Sequence, residues 1–450
     1  MTANLDEAER RAIARLQELV RIPTVSRLDE ADTDWEQFTR FIDALPALYP
    51  LVHARLDREL VCGYSMLYRW PGRTPGNPSV LMAHYDVVPA TPDGWKHPPF
   101  SAEVADDDAG KRMIWGRGTL DDKGSLVVTL EAVEALLADG FEPEHDVYLS
   151  FGHNEETAGD GAGAIVSLLE QRGVAPAFVL DEGGAVVEGI FPGVDDPIAV
   201  IGVAEKGILT LTMTVDQDGG HASTPPSTTA TVRLARAIVA LNSRPFKAKF
   251  TSTNLEMIRT LGAHARQPLR FAFTNLWLTR GLLLGLFRKL GDETSAIVRT
   301  TQAVTQLSGS QASNALAERA VATVNIRVAV GMSVADAVAH VRRAVADPAV
   351  RLDVHQPSEP SPVSPTTGPA WDLLRRTVEA TYPGTIVTPY VMLGASDSRH
   401  FTRISENVYR FSPFEMSKDE RGSLHAMNER IGVSTFLRGI EFYRRLIAGL

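Results

Sequence analysis

The chain has 450 residues and a net charge of −10, with 44 % hydrophobic residues, 35 Gly and 27 Pro; this is ordinary globular usage and excludes a disordered or fibrous chain. Its single cysteine, Cys62, excludes an intramolecular disulfide and a thiolate metal site, so any metal must be held by His, Asp and Glu. The acidic balance argues against a nucleic-acid partner or an anionic membrane, because both need clustered Lys and Arg.

In chain order, MTANLDEAERRAIARLQELV reads as an amphipathic helix without an apolar signal core, so a cytoplasmic location is expected. SVLMAHYDVV (79–88), DVYLSFG (146–152) and AFVLDEGG (177–184) read as strands. They alternate with helices over GSLVVTLEAVEALLADG (124–140) and GAGAIVSLLEQRG (161–173). Continuous apolar strands between helices indicate an α/β fold with a mainly parallel, mixed sheet and helices on both faces. From about residue 206 the texture changes. ILTLTMTVDQ (208–217) and RAVATVNIRVAV (319–330) alternate with period two, helices follow at 228–243 and 333–347, and RLDVHQ (351–356) is a last strand. The middle of the chain therefore reads as a compact α+β insert, and PSEPSPVSP (357–365) as the return connection. The expected domains are 1–205 with 358–450, and 206–357. The longest apolar stretch, Leu276 to Phe287, contains Arg280 and is too short to span about 30 Å of hydrocarbon. It reads as a buried helix or, if exposed, as a surface facing a lipid or acyl chain; no membrane span is expected.

The polar residues of interest fall at strand ends, where open α/β sheets bind ligands. His84 and Asp86 stand two apart on a strand and share a face. A carboxylate there can take one imidazole N–H and leave the other nitrogen for a metal, although such a pair alone is more often structural. Asp121 and Asp122 lie in a Gly-flanked loop before a helix, where helix capping is the commoner role. Glu155 and Glu156 are adjacent at the end of a buried strand and would repel unless a cation or proton separates them. This suggests that Glu156 binds metal while Glu155 exchanges a proton with water. Asp181 and Glu182 form a further pair, and SLHAMNERI supplies His425. Imidazole and oxygen ligands without thiolate suit Zn, Mn or Co.

HYDVVP, GRGTLDDKG, GHNEE, LDEGG, GHAS and the late LH-x-x-NE, in that order over nearly all of the chain, resemble the clan MH co-catalytic zinc metallopeptidases. That family includes aminoacylase, carboxypeptidase S, glutamate carboxypeptidase and succinyl-diaminopimelate desuccinylase. FGHNEE, LDEGG, EKG at 205–207 and SDSRHF at 396–401 are most similar to carboxypeptidase S and the N-acyl-amino-acid hydrolases. The resemblance implies a ferredoxin-like lid and dimerisation domain inserted into the catalytic domain. It implies two divalent metal ions, most simply zinc, with cobalt or manganese as alternatives. His84 and Asp181 would hold one ion, Glu156 and His425 the other, and Asp121 would bridge them through a segment with a cis Asp121–Asp122 peptide. Asp181 is chosen over its neighbour Glu182 because it matches the subgroup's pattern, and relatives use either residue type. Asp86 would orient His84, and Glu155 would be the general base. His221 matches a histidine that, in dimeric relatives, enters the partner's active site and steadies the oxyanion, so a homodimer is expected. Asn314 and Arg327 match substrate-contacting positions, and Arg399 is a second clamp for a carboxylate. SNALAERA and NIR here replace N-V-I-P and D-x-R of many relatives.

The expected activity is hydrolysis of the amide bond of N-acyl amino acids, or of the C-terminal peptide bond of small peptides, releasing a free amino acid. A dipeptidase would need an acidic group for a free α-amine, and no such group stands out. A catalytically silent binding protein on the same fold is the alternative of another class.

Overall fold

Short runs of aliphatic residues, buried at every position, build the larger of two main sheets. The structure, a computed structural model, describes residues 5–450. Ser79–His84, Val147–Gly152 and Phe178–Asp181 are strands without an exposed residue, as strands covered on both faces must be. They run parallel, in the spatial order Val147–Gly152, Ser79–His84, Phe178–Asp181, Val408–Arg410. Antiparallel pairings flank this centre, with Ser65–Trp70 on one side and Ile198–Glu205 on the other. Among the described residues the sheet has ten strands, mixed in direction.

Alternate residues of one strand serve different layers. Leu81 and Ala83 pack with Leu126 and Leu130 of helix Lys123–Ala138 and with Leu446 and Ile447 of helix Val433–Ala448. Val80 and Met82 pack on the other face with Ile165 and Leu169 of helix Gly161–Gln171 and with Phe401. The expected three-layer α/β architecture is thus present. Helix Lys123–Ala138 is buried almost throughout because it lies between the sheet and helix Val433–Ala448.

The second sheet has the order Thr301–Ser308, Arg319–Val328, Gly207–Asp216, Arg351–Ser358, all antiparallel. Helices Ala230–Asn242 and Val334–Val345 cover one face, which gives the strand–helix–strand–strand–helix–strand sequence of a ferredoxin-like unit. Ser333 caps the second helix through a reciprocal capping box with Asp336. Ala320, Ala322, Val324, Ile326 and Val328 are buried beneath these helices, while the residues between them stay more open. The two links to the larger sheet lie side by side, with Ile208 opposite Ser358.

The segment 206–357 is not a single body, which corrects the expected boundary. Helices Ser252–His264, Leu269–Thr274 and Leu276–Phe287 fill the core of the larger domain through Ile258, Leu261, Phe273, Leu283 and Phe287. Ser252–His264 lies directly on strand Ile386–Met392. A change of periodicity marks where a sheet begins, but an apolar helix face does not say which core it fills.

Candidate metal centre

Four adjacent parallel strands end at Gly152, His84, Asp181 and Arg410, and the acidic residues follow from those ends. His84 Nδ1 is 3.0 Å from the Asp86 carbonyl and 3.2 Å from Asp86 Oδ1. An N–H at Nδ1 leaves Nε2 as the free nitrogen. Nε2 faces Asp121 Oδ1 at 3.0 Å and Glu182 Oε1 at 3.7 Å. The Asp86 carboxylate also accepts hydrogen bonds from the Ser26 hydroxyl at 2.7 Å and from the Glu155 and Glu156 amides at 3.2 and 3.1 Å. One buried carboxylate therefore sets both the histidine and the turn that presents the two glutamates.

Asp121 spans the two histidines. Its Oδ1 meets His84, and its Oδ2 is 2.9 Å from His425 Nε2, which lies 3.0 Å from Glu156 Oε2. Glu429 places this loop, accepting from Arg117 at 2.6 Å and from the amides of Gly118, Leu120 and Asp121 at 3.0, 2.9 and 3.2 Å. At Gly124 a Cβ would stand 2.2 Å from the Thr119 carbonyl, so only glycine lets the loop return this close to its helix. The Asp121–Asp122 peptide is cis. Asp122 makes no capping hydrogen bond and turns toward His84, accepting its backbone N–H at 3.3 Å.

Of the pair Asp181 and Glu182, in which Asp181 was the expected ligand, the structure turns Glu182 toward His84. Asp181 ends its strand facing the 3-10 turn Asp397–Arg403 and accepts the Ser398 amide at 2.8 Å. The next side chain emerges on the other side, so Glu182 is the carboxylate presented to His84.

The site is crowded with negative charge. Burial, and then the neighbouring carboxylates, pushes Glu182 up to about 8 and raises Glu156. Burial likewise raises Glu155 and Asp122 well above the usual range, with Glu182 adding to both. Against the upward push of burial, hydrogen bonds from His425 and His84 hold Asp121 well below that range. Hydrogen bonds to Asp121 and Glu156 raise His425 to about 10. Glu156 Oε1 and Asp122 Oδ1 are buried with no hydrogen-bond partner. Ligand atoms of His84, Asp121 and Glu156, and of His84, Asp122 and Glu182, lie within 4.8 Å of one another. Excess carboxylate, orphaned oxygens and a donor set of imidazole nitrogen and oxygen all fit divalent cations.

Glu155 belongs to neither group of ligand atoms. Toward it the two domains bring guanidinium groups. Arg327, half-buried on the second sheet, is lowered by burial and by Arg399, while Glu205 and Glu155 oppose that shift. Arg327 and Arg399 thus lie within electrostatic reach of each other, and Glu155 is within reach of Arg327. His221 and Asn314 are elsewhere. Both are exposed on a short ladder in which His221 pairs with Ala315 and the Asn314 carbonyl accepts the Ala222 amide at 2.9 Å. His221 Nδ1 accepts from the Ser223 amide and hydroxyl, which leaves Nε2 to carry the proton.

Three supporting contacts lay outside the roles read from the sequence. Glu429 stood in a quoted motif without a role. Arg410, fully buried, donates to Glu205 at 3.1 Å, and Glu205 also accepts the Ser396 amide that begins the Arg399 turn. Lys206 Nζ donates to the carbonyls of Ala296 and Arg299 at 2.6 and 2.7 Å, tying the helical insert to the hinge. EKG carried a signal for two of these residues, but their partners are remote in sequence.

Buried strand ends lined by imidazole and carboxylate, with a separate glutamate and two guanidinium groups beside them, are the arrangement of a metal-dependent hydrolase of amide bonds. Residues 80–449 match the model of peptidase family M20/M25/M40, and the chain belongs to that family. It is 35 % identical to the probable carboxypeptidase S-like 2 of Dictyostelium discoideum, over 96 % of this chain and 84 % of the relative. It is 36 % identical to the N-fatty-acyl-amino acid synthase/hydrolase PM20D1 of Xenopus tropicalis, over 99 % and 87 %. The solved M20 family metallo-carboxypeptidase Sso-CP2 from Sulfolobus solfataricus shares the fold, with a TM-score of 0.70, 18 % identity and coverage of 98 % and 99 %.

Proposed function

We propose that this chain hydrolyses the amide bond of N-acyl amino acids on two divalent metal ions, zinc being the simplest choice, and releases the free amino acid. The observation that carries this reading is the convergence of His84, Asp121, Asp122, Glu156 and Glu182 ligand atoms at the strand ends, with Glu155 outside both groups; Arg327 and Arg399, within electrostatic reach of each other, add a candidate clamp. Two planar guanidinium forks suit the carboxylate that an N-acyl amino acid keeps free. The similarity to an N-fatty-acyl-amino acid synthase/hydrolase supports an acyl substrate. The similarity to carboxypeptidase S-like proteins favours a second reading, cleavage of a C-terminal peptide bond, which leaves the same carboxylate to be held.

His84, Asp121 and Glu182 would hold one ion, and Asp121, Glu156 and His425 the other. Bound there, the ions supply Lewis acidity for the scissile carbonyl and make water acidic enough to be deprotonated near neutral pH. Asp86 keeps Nε2 of His84 free and holds the Glu155–Glu156 turn. Arg327 and Arg399 orient the substrate by its carboxylate. Glu155 takes the proton of the attacking water and passes it to the leaving nitrogen. His221, with its proton on Nε2, serves the developing oxyanion of a partner chain in a homodimer.

The test is hydrolysis of a panel of N-acyl amino acids and dipeptides by the zinc-loaded protein, with product amino acid detected by mass. Preference for dipeptides would move the reading to a peptidase. Glu155→Ala is expected to lower kcat by at least about 10²-fold with metal content unchanged. Loss of metal together with activity would make Glu155 a ligand rather than the base.

A further inference from the structure

In a chain with net charge −10, Glu256 is the one acidic residue between Asp218 and Asp292. Between Glu256 and Asp292 there is no Asp or Glu, while Arg259, Arg266, Arg270, Arg280, Arg288 and Lys289 are all present and exposed. Among the described residues only Arg266 of these forms an ion pair, with Asp195. The same stretch holds six of the exposed large hydrophobic residues, Phe271, Trp277, Leu278, Leu282, Leu286 and Leu290. On helix Leu276–Phe287, Trp277 is 85 % exposed, Leu278 61 % and Leu282 74 %, and Phe271 on the preceding helix is 55 % exposed.

The opposite face of that helix is anchored. Leu276, Leu283 and Phe287 are buried in the larger core, where Phe287 packs edge-on to Phe250 and Phe191. The outward Leu278, Leu282 and Leu286 form one row at four-residue spacing with Lys289 at its end; Arg288 lies across Gly281 and Gly285 from it, and Arg280, two residues from Leu278 and Leu282, lies on the far flank. Gly281 and Gly285 stand in open space along this ridge, leaving it smooth. A tryptophan and a leucine row flanked by Arg and Lys is the composition of a helix that lies in a lipid interface. No helix among the described residues is long and apolar enough to cross a membrane.

We propose that the exposed face of helix Leu276–Phe287 docks on an anionic lipid bilayer, with the leucine row and Trp277 among the acyl chains and the cations at the headgroups. The charge pattern selects this occupant. A second copy meeting the same face through a two-fold axis would set Arg288 and Lys289 against their own equivalents. An anionic surface satisfies both. The proposal is independent of which amide the enzyme cleaves.

Flotation of the full-length protein with vesicles is the direct test. Binding is expected to vesicles of phosphatidylcholine with phosphatidylglycerol, at least about tenfold weaker to phosphatidylcholine alone, and reversed near 1 M salt. Tryptophan emission should shift to the blue on binding, and Trp277→Phe should lose most of that shift. Leu282→Glu, and Arg288→Glu with Lys289→Glu, should each weaken binding by about tenfold or more. Their melting temperatures should match the parent's, because every altered side chain is exposed. Absence of vesicle binding, or equal binding to neutral and anionic vesicles, overturns the proposal. So does a solution dimer that Leu282→Glu dissociates while vesicles are ignored, since a second copy would then cover the face.

Discussion

Glu429 accepts hydrogen bonds from the Gly118, Leu120 and Asp121 amides of the loop that aims Asp121. Glu429→Gln keeps the shape and removes the charge that Arg117 and those amides converge on. Metal affinity should fall about 10–100-fold, the size of effect seen for groups that orient ligands. Titration of the metal-free protein with Zn²⁺, alongside circular dichroism to show a retained fold, reads this directly. His400 gives a pH prediction away from the metal ligands. Burial, with Arg399 and Arg403 nearby, lowers it from 6.5 to about 4, so the folded state holds the neutral ring. The unfolded chain then binds the extra proton as pH falls below 6.5, and stability present above that value drains away toward pH 4. His400→Gln should flatten this acid limb in urea unfolding series, and an unchanged slope would show that the ring is not held neutral.

Among the elements, the helical insert shows how a hinge is fixed. Lys206 sits between strand Ile198–Glu205 of the larger sheet and strand Gly207–Asp216 of the smaller and donates to the carbonyls of Ala296 and Arg299. Burial lowers its pKa to about 8, with Arg327 and Arg299 adding to the effect. Lys206→Met leaves both acceptors without their donor and should destabilise the protein by about 1–3 kcal/mol. It should also open the insert to limited proteolysis, with first cuts mapped by mass between residues 265 and 300. First cuts elsewhere would mean that the insert is held by its apolar face alone. At this scale the sequence was legible where periodicity was local. The strand and helix centres at 79–88, 161–173, 319–330 and 333–347 all recur in the structure. The assignment of helices 252–287 to the larger core was not legible, because an apolar face carries no address.

Across the whole molecule, the exposure of His221 on its short ladder with Ala315 sets up a test of the proposed dimer. Glu155→Ala and His221→Ala chains should each be inactive alone. Mixed in equal amounts under exchange, half of the dimers are hybrid and each hybrid carries one intact site, so about a quarter of the parental activity should return. No recovery, with hybrids shown by mass, would place the function of His221 within its own chain or outside the reaction. Net charge is a second whole-molecule quantity that averaged away something local. The −10 total argued against an anionic membrane, while the acid-free stretch around helix Leu276–Phe287 presents the opposite sign together with bare leucine.

What the sequence determined by itself was the chemical inventory and its placement at strand ends. His84, Asp86, Asp121, Glu155, Glu156 and His425 do converge; His84, Asp86, Glu155 and Glu156 stand where a short apolar strand stops, while Asp121 and His425 come from loops whose motifs are contiguous. Tertiary structure alone showed which of Asp181 and Glu182 faces His84, since adjacent side chains leave a strand end in opposite directions and the packed 3-10 turn takes up Asp181. It also supplied the pairs Glu205 with Arg410 and Arg117 with Glu429, which join segments far apart in the chain. Local spacing encodes which face a residue occupies. Contact between distant segments depends on how the layers stack, and that leaves no period in the sequence.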